Sequence, residues 1–170
     1  MLARNDLIFK WVLYGLAAAL CWLVQSVVLQ HITIWGVLPV CFPMLVAIPA
    51  TFESPTAGCT FGLVLGVLTD LMVPGLIPCF CTLLFPLIGL AASLLSQSVL
   101  PAGFLCSLVA SAMAFLAWGL FSGLVLAMRG KPDWGPALLL SLREMAVSLP
   151  LAFPMTILFR AVCARTHLDD

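Results

Sequence analysis

Gly58-Cys-Thr-Phe-Gly62-Leu-Val-Leu-Gly66-Val-Leu-Thr-Asp70 is the stretch from which the rest of the chain is read. Three glycines stand four residues apart, and the next step of four lands on an acid. At about 100° per residue, each such step turns the side chain by only about 40°. Gly58, Gly62, Gly66 and Asp70 therefore form one ridge on a helix whose other faces carry Phe61, Leu63, Val64, Leu65, Val67 and Leu68. In water each glycine would weaken that helix by about 1 kcal/mol. In a bilayer, where lipid gives helices no hydrophobic reason to associate, the same ridge lets a second backbone come close.

Composition agrees with a bilayer setting. Of 170 residues, 64% are hydrophobic and 8% charged, and mean hydropathy is +1.21. A soluble domain carries about 25% charged residues. The 58 residues Leu71–Met128 hold no charge at all. Net charge is zero, which leaves no whole-chain field to draw nucleic acid.

A span needs about 20 apolar residues. Six segments approach that length, at 7–29, 37–52, 56–73, 77–96, 102–128 and 137–162. The expected fold is thus an all-α polytopic membrane bundle of about six transmembrane helices in a single domain, 1–170, with short loops. The first apolar run, Trp11–Leu29, is longer than the core of a signal peptide and is read as a retained anchor. The second segment is short, and Pro39, Pro43 and Pro49 are expected to kink it or leave it partly unwound. Non-helical backbone at membrane depth must be buried in protein or line a cavity. Arg129–Pro136 is the clearest hydrophilic loop. With six spans, Arg4, Lys10, Arg160 and Arg165 share one side, against Arg129 and Lys131 on the other, so both termini are expected in the cytoplasm.

Asp70 is the chemically unusual residue, since an acid inside a membrane is a functional hypothesis in search of a partner. It lies near the outer, C-terminal end of its helix, where the dipole disfavours an anion. Arg143 enters the sixth span to a similar depth, with Glu144 competing for it. Asp70 and Arg143 either pair within the membrane or snorkel separately to the interface. Glu53, just before the glycine helix, is expected to cap it. The serines at 93, 96, 98, 107 and 111 are expected to bond back to their helices or to let helices approach. His31 and His167 have no ligand set around them.

Signatures of catalysis are missing. There is no His-Glu-x-x-His, no Gly-x-Ser-x-Gly and no phosphate-binding glycine loop. Seven cysteines, an odd number, are scattered through apolar segments without a Cys-x-x-Cys, which points to small hydrophobes rather than disulfides or a metal. No cofactor, metal or enzymatic activity is expected.

From Gly36 to about Ser96 the chain resembles the rod-shape-determining protein MreD family of bacteria. The likeness rests on a loop ending Gly36-Val-Leu-Pro39, the ridge Gly58-x3-Gly62-x3-Gly66-x3-Asp70, a glycine turn at Gly75 and another apolar helix. Val40, where family members often carry a polar residue, departs from it. The resemblance implies a non-catalytic plasma-membrane scaffold of the cell-elongation complex. It would bind the single-span MreC protein and, through it, MreB filaments and wall synthases. The ridge side of the third span is the expected partner face, although packing against the sixth or second span would explain the same glycines. The alternative is the substrate-binding S component of an energy-coupling-factor vitamin transporter. There the kinked second helix, Asp70 and Arg143 would line an outward pocket.

Overall fold

Five stretches form helices long and apolar enough to cross a bilayer: Ile8–His31, Pro55–Met72, Phe80–Ser98, Phe104–Met128 and Leu139–Arg165. The structure, a computed structural model, describes residues 2–33, 36–72, 79–101, 103–128 and 134–166. Among them the chain is an all-α bundle without strands. The helices are α1 (Leu2–Val27), α2 (Phe42–Ala50), α3 (Pro55–Met72), α4 (Phe80–Ser98), α5 (Phe104–Met128), α6 (Trp134–Ser148) and α7 (Ala152–Thr166). A 3-10 turn at Leu149–Leu151, built around Pro150, joins α6 to α7 within the last apolar stretch. The expected glycine turn at Gly75 lies outside the described residues, as does His167. Of the loop expected over Arg129–Pro136, residues 129–133 lie outside them too, and Trp134–Pro136 instead form the first turn of α6.

Of the two outcomes expected for the second segment, bent or partly unwound, the structure shows the unwound one. Its helix has nine residues, and residues 36–41 before it are not helical. Pro39 lies in that non-helical stretch and kinks no helix. Pro43 stands in the first turn of α2, where its missing N–H has no helical acceptor to lose. Of the three, only Pro49 is inside the helix, next to its end.

The segment nevertheless runs back across the bundle. Gln25, near the end of α1, bonds to Pro39 and Cys41, and Lys10, near its start, bonds to Glu53. Fifteen residues of α1 separate these anchors, about 22 Å at 1.5 Å per residue. Residues 39–53 cover that distance in the opposite direction. The described chain thus has five helices long enough to span and one further crossing of the bundle, an unwound entry followed by a short helix.

That short helix is the centre of the molecule. Met44, Val46, Ala47 and Ile48 are 0% exposed, and α1, α3, α4, α5 and α7 all pack around α2. Leucines and valines on the outer faces of α1, α3, α4 and α5 stay exposed, as expected of helices that meet lipid.

Candidate functional site

The glycine ridge faces α4, the next helix in the chain. A Cβ at Gly62 would stand 2.5 Å from the Phe85 carbonyl oxygen, and one at Gly66 2.6 Å from that of Cys81. At Gly58 it would collide with the Ser93 hydroxyl and come within 2.9 Å of the Gly89 carbonyl. Gly89 answers from the other side, since its own Cβ would strike the Gly58 carbonyl. Backbone lies against backbone for three turns. The expected partner face on this ridge is corrected by that contact: α4 fills it along its length, the second span touches it only at Gly58, where an added Cβ would stand 3.1 Å from the Ala50 Cβ, and the sixth span takes no part in it.

Asp70 completes the same seam. Its Oδ1 accepts from the Cys81 N–H at 3.0 Å, and its Oδ2 accepts from the Thr82 N–H at 2.8 Å and the Thr82 hydroxyl at 2.6 Å. These N–H groups belong to the first turn of α4, which has no helical acceptor for them and carries the positive end of that helix's dipole. No cap comes from Cys79, which precedes the helix at φ +64°. The anion disfavoured by the end of its own helix is thus held by the beginning of the next. Of the two alternatives for Asp70 and Arg143, the ion pair does not form. Arg143 is exposed and Glu144 half-buried, both on α6, and neither makes an ion pair with a described residue.

A second cluster lies at the opposite end of α3. Lys10 Nζ sits 2.8 Å from Glu53 Oε1 and 3.0 Å from Oε2, so Glu53 bridges to α1 instead of capping α3. The Tyr14 hydroxyl is buried beside Glu53 and Cys163. Its ring, 1% exposed, stacks on Phe159 of α7 and meets Phe61 of α3 edge-on. Tyr14 is therefore the point where α1, α3 and α7 join.

The unwound entry to α2 has its own set of partners. Gln25 Nε2 donates to the Pro39 carbonyl at 3.0 Å, and Gln25 Oε1 accepts from the Cys41 N–H at 2.9 Å. Ser148 Oγ accepts from the Val40 N–H at 2.9 Å. At the far end of α2 the Ala50 carbonyl accepts from the Ser93 hydroxyl at 2.7 Å, and Thr51 shares a hydrogen bond with Ser107 at 3.3 Å. Each freed backbone group named here is met by a side chain from a neighbouring helix, which is what irregular backbone needs at this depth. Ser96, Ser98 and Ser111 bond back to their own helices. Gln25 and Ser148 escaped the sequence reading. Gln25 is the only amide in the apolar run Trp11–Leu29, and that isolation was the available signal.

What remains open lies between pairs of neighbouring helices. A furrow of about 360 Å³ runs between α4 and α5, and one of about 330 Å³ between α1 and α3. The second is lined on α1 by Gly15, Ala18, Ala19 and Trp22. A Cβ at Gly15 would meet nothing within 4 Å, unlike those of the ridge. Among the described residues no three His, Cys, Asp or Glu side chains converge as a metal site would require. No family model, curated protein or solved structure matches the chain.

Proposed function

We propose that this chain is a non-catalytic scaffold subunit of the bacterial cell-elongation complex, held in the plasma membrane with both termini in the cytoplasm. In this reading it engages a single-span MreC-like protein and, through it, MreB filaments and the enzymes that build the lateral wall. Part of the support is the resemblance carried by Gly36–Pro39 and the glycine–aspartate ridge. The observation that carries the reading is the location of unused small-residue surface. Gly58, Gly62 and Gly66 are filled by α4, whereas Gly15, Ala18 and Ala19 line an apolar furrow on the outside of the bundle. Close approach there is available to the transmembrane helix of a partner.

The transporter reading is less well supported. A bound vitamin needs an interior pocket with a few converging polar groups. The place between the helices is filled by α2, and Gln25, Ser148 and Ser93 all bind backbone. Depletion in a rod-shaped host, followed by microscopy of cell outline and wall insertion, tests the proposal. Rounded cells with misplaced insertion are expected; unchanged shape and insertion would remove it.

A further inference from the structure

A third furrow, of about 340 Å³, runs between α1 and α7 and differs from the other two in having a cation at one end. Leu13, Leu16 and Leu20 line it from α1, and Leu158, Ala161 and Arg165 from α7. Both sets follow helical spacing, so each is one face of its helix. The two helices run in opposite directions, which puts Arg165 beside the Leu13 end, near Lys10 and Glu53. We propose that this furrow binds one anionic phospholipid, its phosphate on the Arg165 guanidinium and an acyl chain lying along the leucines.

Among the described side chains, charge at that end favours an anion. The charge of Lys10 is met by Glu53 at 2.8 Å, while Arg165 is exposed and makes no ion pair with a described residue. The furrow's dimensions fit a lipid in a single leaflet. The seven steps from Leu158 to Arg165 span about 10 Å, roughly a third of the hydrocarbon thickness. The cation thus stands where a headgroup would be and the leucines where its chain would be. A guanidinium offers two parallel N–H donors to phosphate oxygens. A zwitterionic lipid brings its own ammonium to compete for the same phosphate, so an anionic headgroup is preferred. The residues lining the α1–α3 and α4–α5 furrows include no charged side chain, and those furrows have no means of choosing a headgroup. Basic pockets between transmembrane helices are a recognised mode of lipid binding.

Arg160 supplies the control. It lies on α7, is exposed, and sits five residues from Arg165, about 140° around the helix and away from the furrow. The full chain, purified in detergent, is titrated with phosphatidylglycerol or phosphatidylethanolamine, and retained lipid is counted by native mass spectrometry. About fivefold preference for phosphatidylglycerol is expected, the effect of one basic residue at an anionic surface. Arg165→Gln removes the preference, Arg160→Gln keeps it, and Ala161→Trp, which fills the furrow, lowers retention of both lipids. An unchanged preference in Arg165→Gln, or an equal loss in Arg160→Gln, overturns the site in favour of general surface attraction. If Arg165→Gln does not fold, Ala161→Trp decides, and undiminished phosphatidylglycerol binding in it refutes the proposal. The scaffold reading does not depend on this outcome.

Discussion

One oxygen of Asp70, Oδ2, accepts both the backbone N–H and the hydroxyl of Thr82, at 2.8 and 2.6 Å. With Oδ1 on the Cys81 N–H, the carboxylate ties the last turn of α3 to the first turn of α4. The glycine seam brings the two helices close, and the carboxylate sets how far one may slide along the other.

Removing that tie should loosen the α3–α4 pair. Asp70→Ala is expected to cost roughly 1–2 kcal/mol, the worth of a helix cap. Thr82→Ala should cost less, and the double variant less than the sum, because both act on one oxygen. Thermal unfolding in detergent measures all three. Arg143→Glu should not restore an Asp70→Arg variant.

Glycines on α3 and α1 should respond differently to the same substitution. Gly62→Leu meets the Phe85 backbone at 2.5 Å and should abolish folding or cost more than the roughly 1–3 kcal/mol of ordinary overpacking. Gly15→Leu meets nothing within 4 Å and should leave the bundle intact. If the α1–α3 furrow receives a partner helix, Gly15→Leu should instead abolish co-purification of the single-span partner. Gel filtration and pull-down of the two variants separate these effects.

Gln25→Leu should leave the Pro39 carbonyl and the Cys41 N–H without the partners found here. Each unmet buried group costs roughly 1–3 kcal/mol. The unwound entry should open more often, which a maleimide reports through Cys41, 6% exposed in the folded chain. In a variant keeping Cys41 as its sole cysteine, Gln25→Leu should speed labelling. An unchanged rate would mean the amide does not hold the entry.

The Lys10–Glu53 pair should behave as a partly buried charge pair. Glu53→Gln alone leaves Lys10 with a weaker partner and should lower stability by roughly 1.5–3 kcal/mol, the range for hydrogen bonds to charged groups. Replacing both, as Lys10→Met with Glu53→Leu, should recover much of that loss, because no charge is then left unpaired. The comparison is made by thermal unfolding at one pH.

Sequence alone determined the medium and the helical class. A chain 64% hydrophobic with 58 consecutive uncharged residues has few other ways to satisfy its backbone. The spacing of Gly58, Gly62 and Gly66 also required a close helix contact somewhere. What filled the ridge, what held Asp70 and how the proline-rich segment crossed were decided only in three dimensions. Nearly every helix face here is apolar, so periodicity could not single out a neighbour. The choice of α4 came from a small residue in register opposite, Gly89 facing Gly58, and from α4 beginning where α3 ends. The unwound entry at 36–41 was tolerable because Gln25 and Ser148, 14 and 108 residues from the backbone groups they bind, arrive from other helices. Spacing along a chain measures neighbours on one helix; donors and acceptors that meet across a bundle are set by how the helices pack.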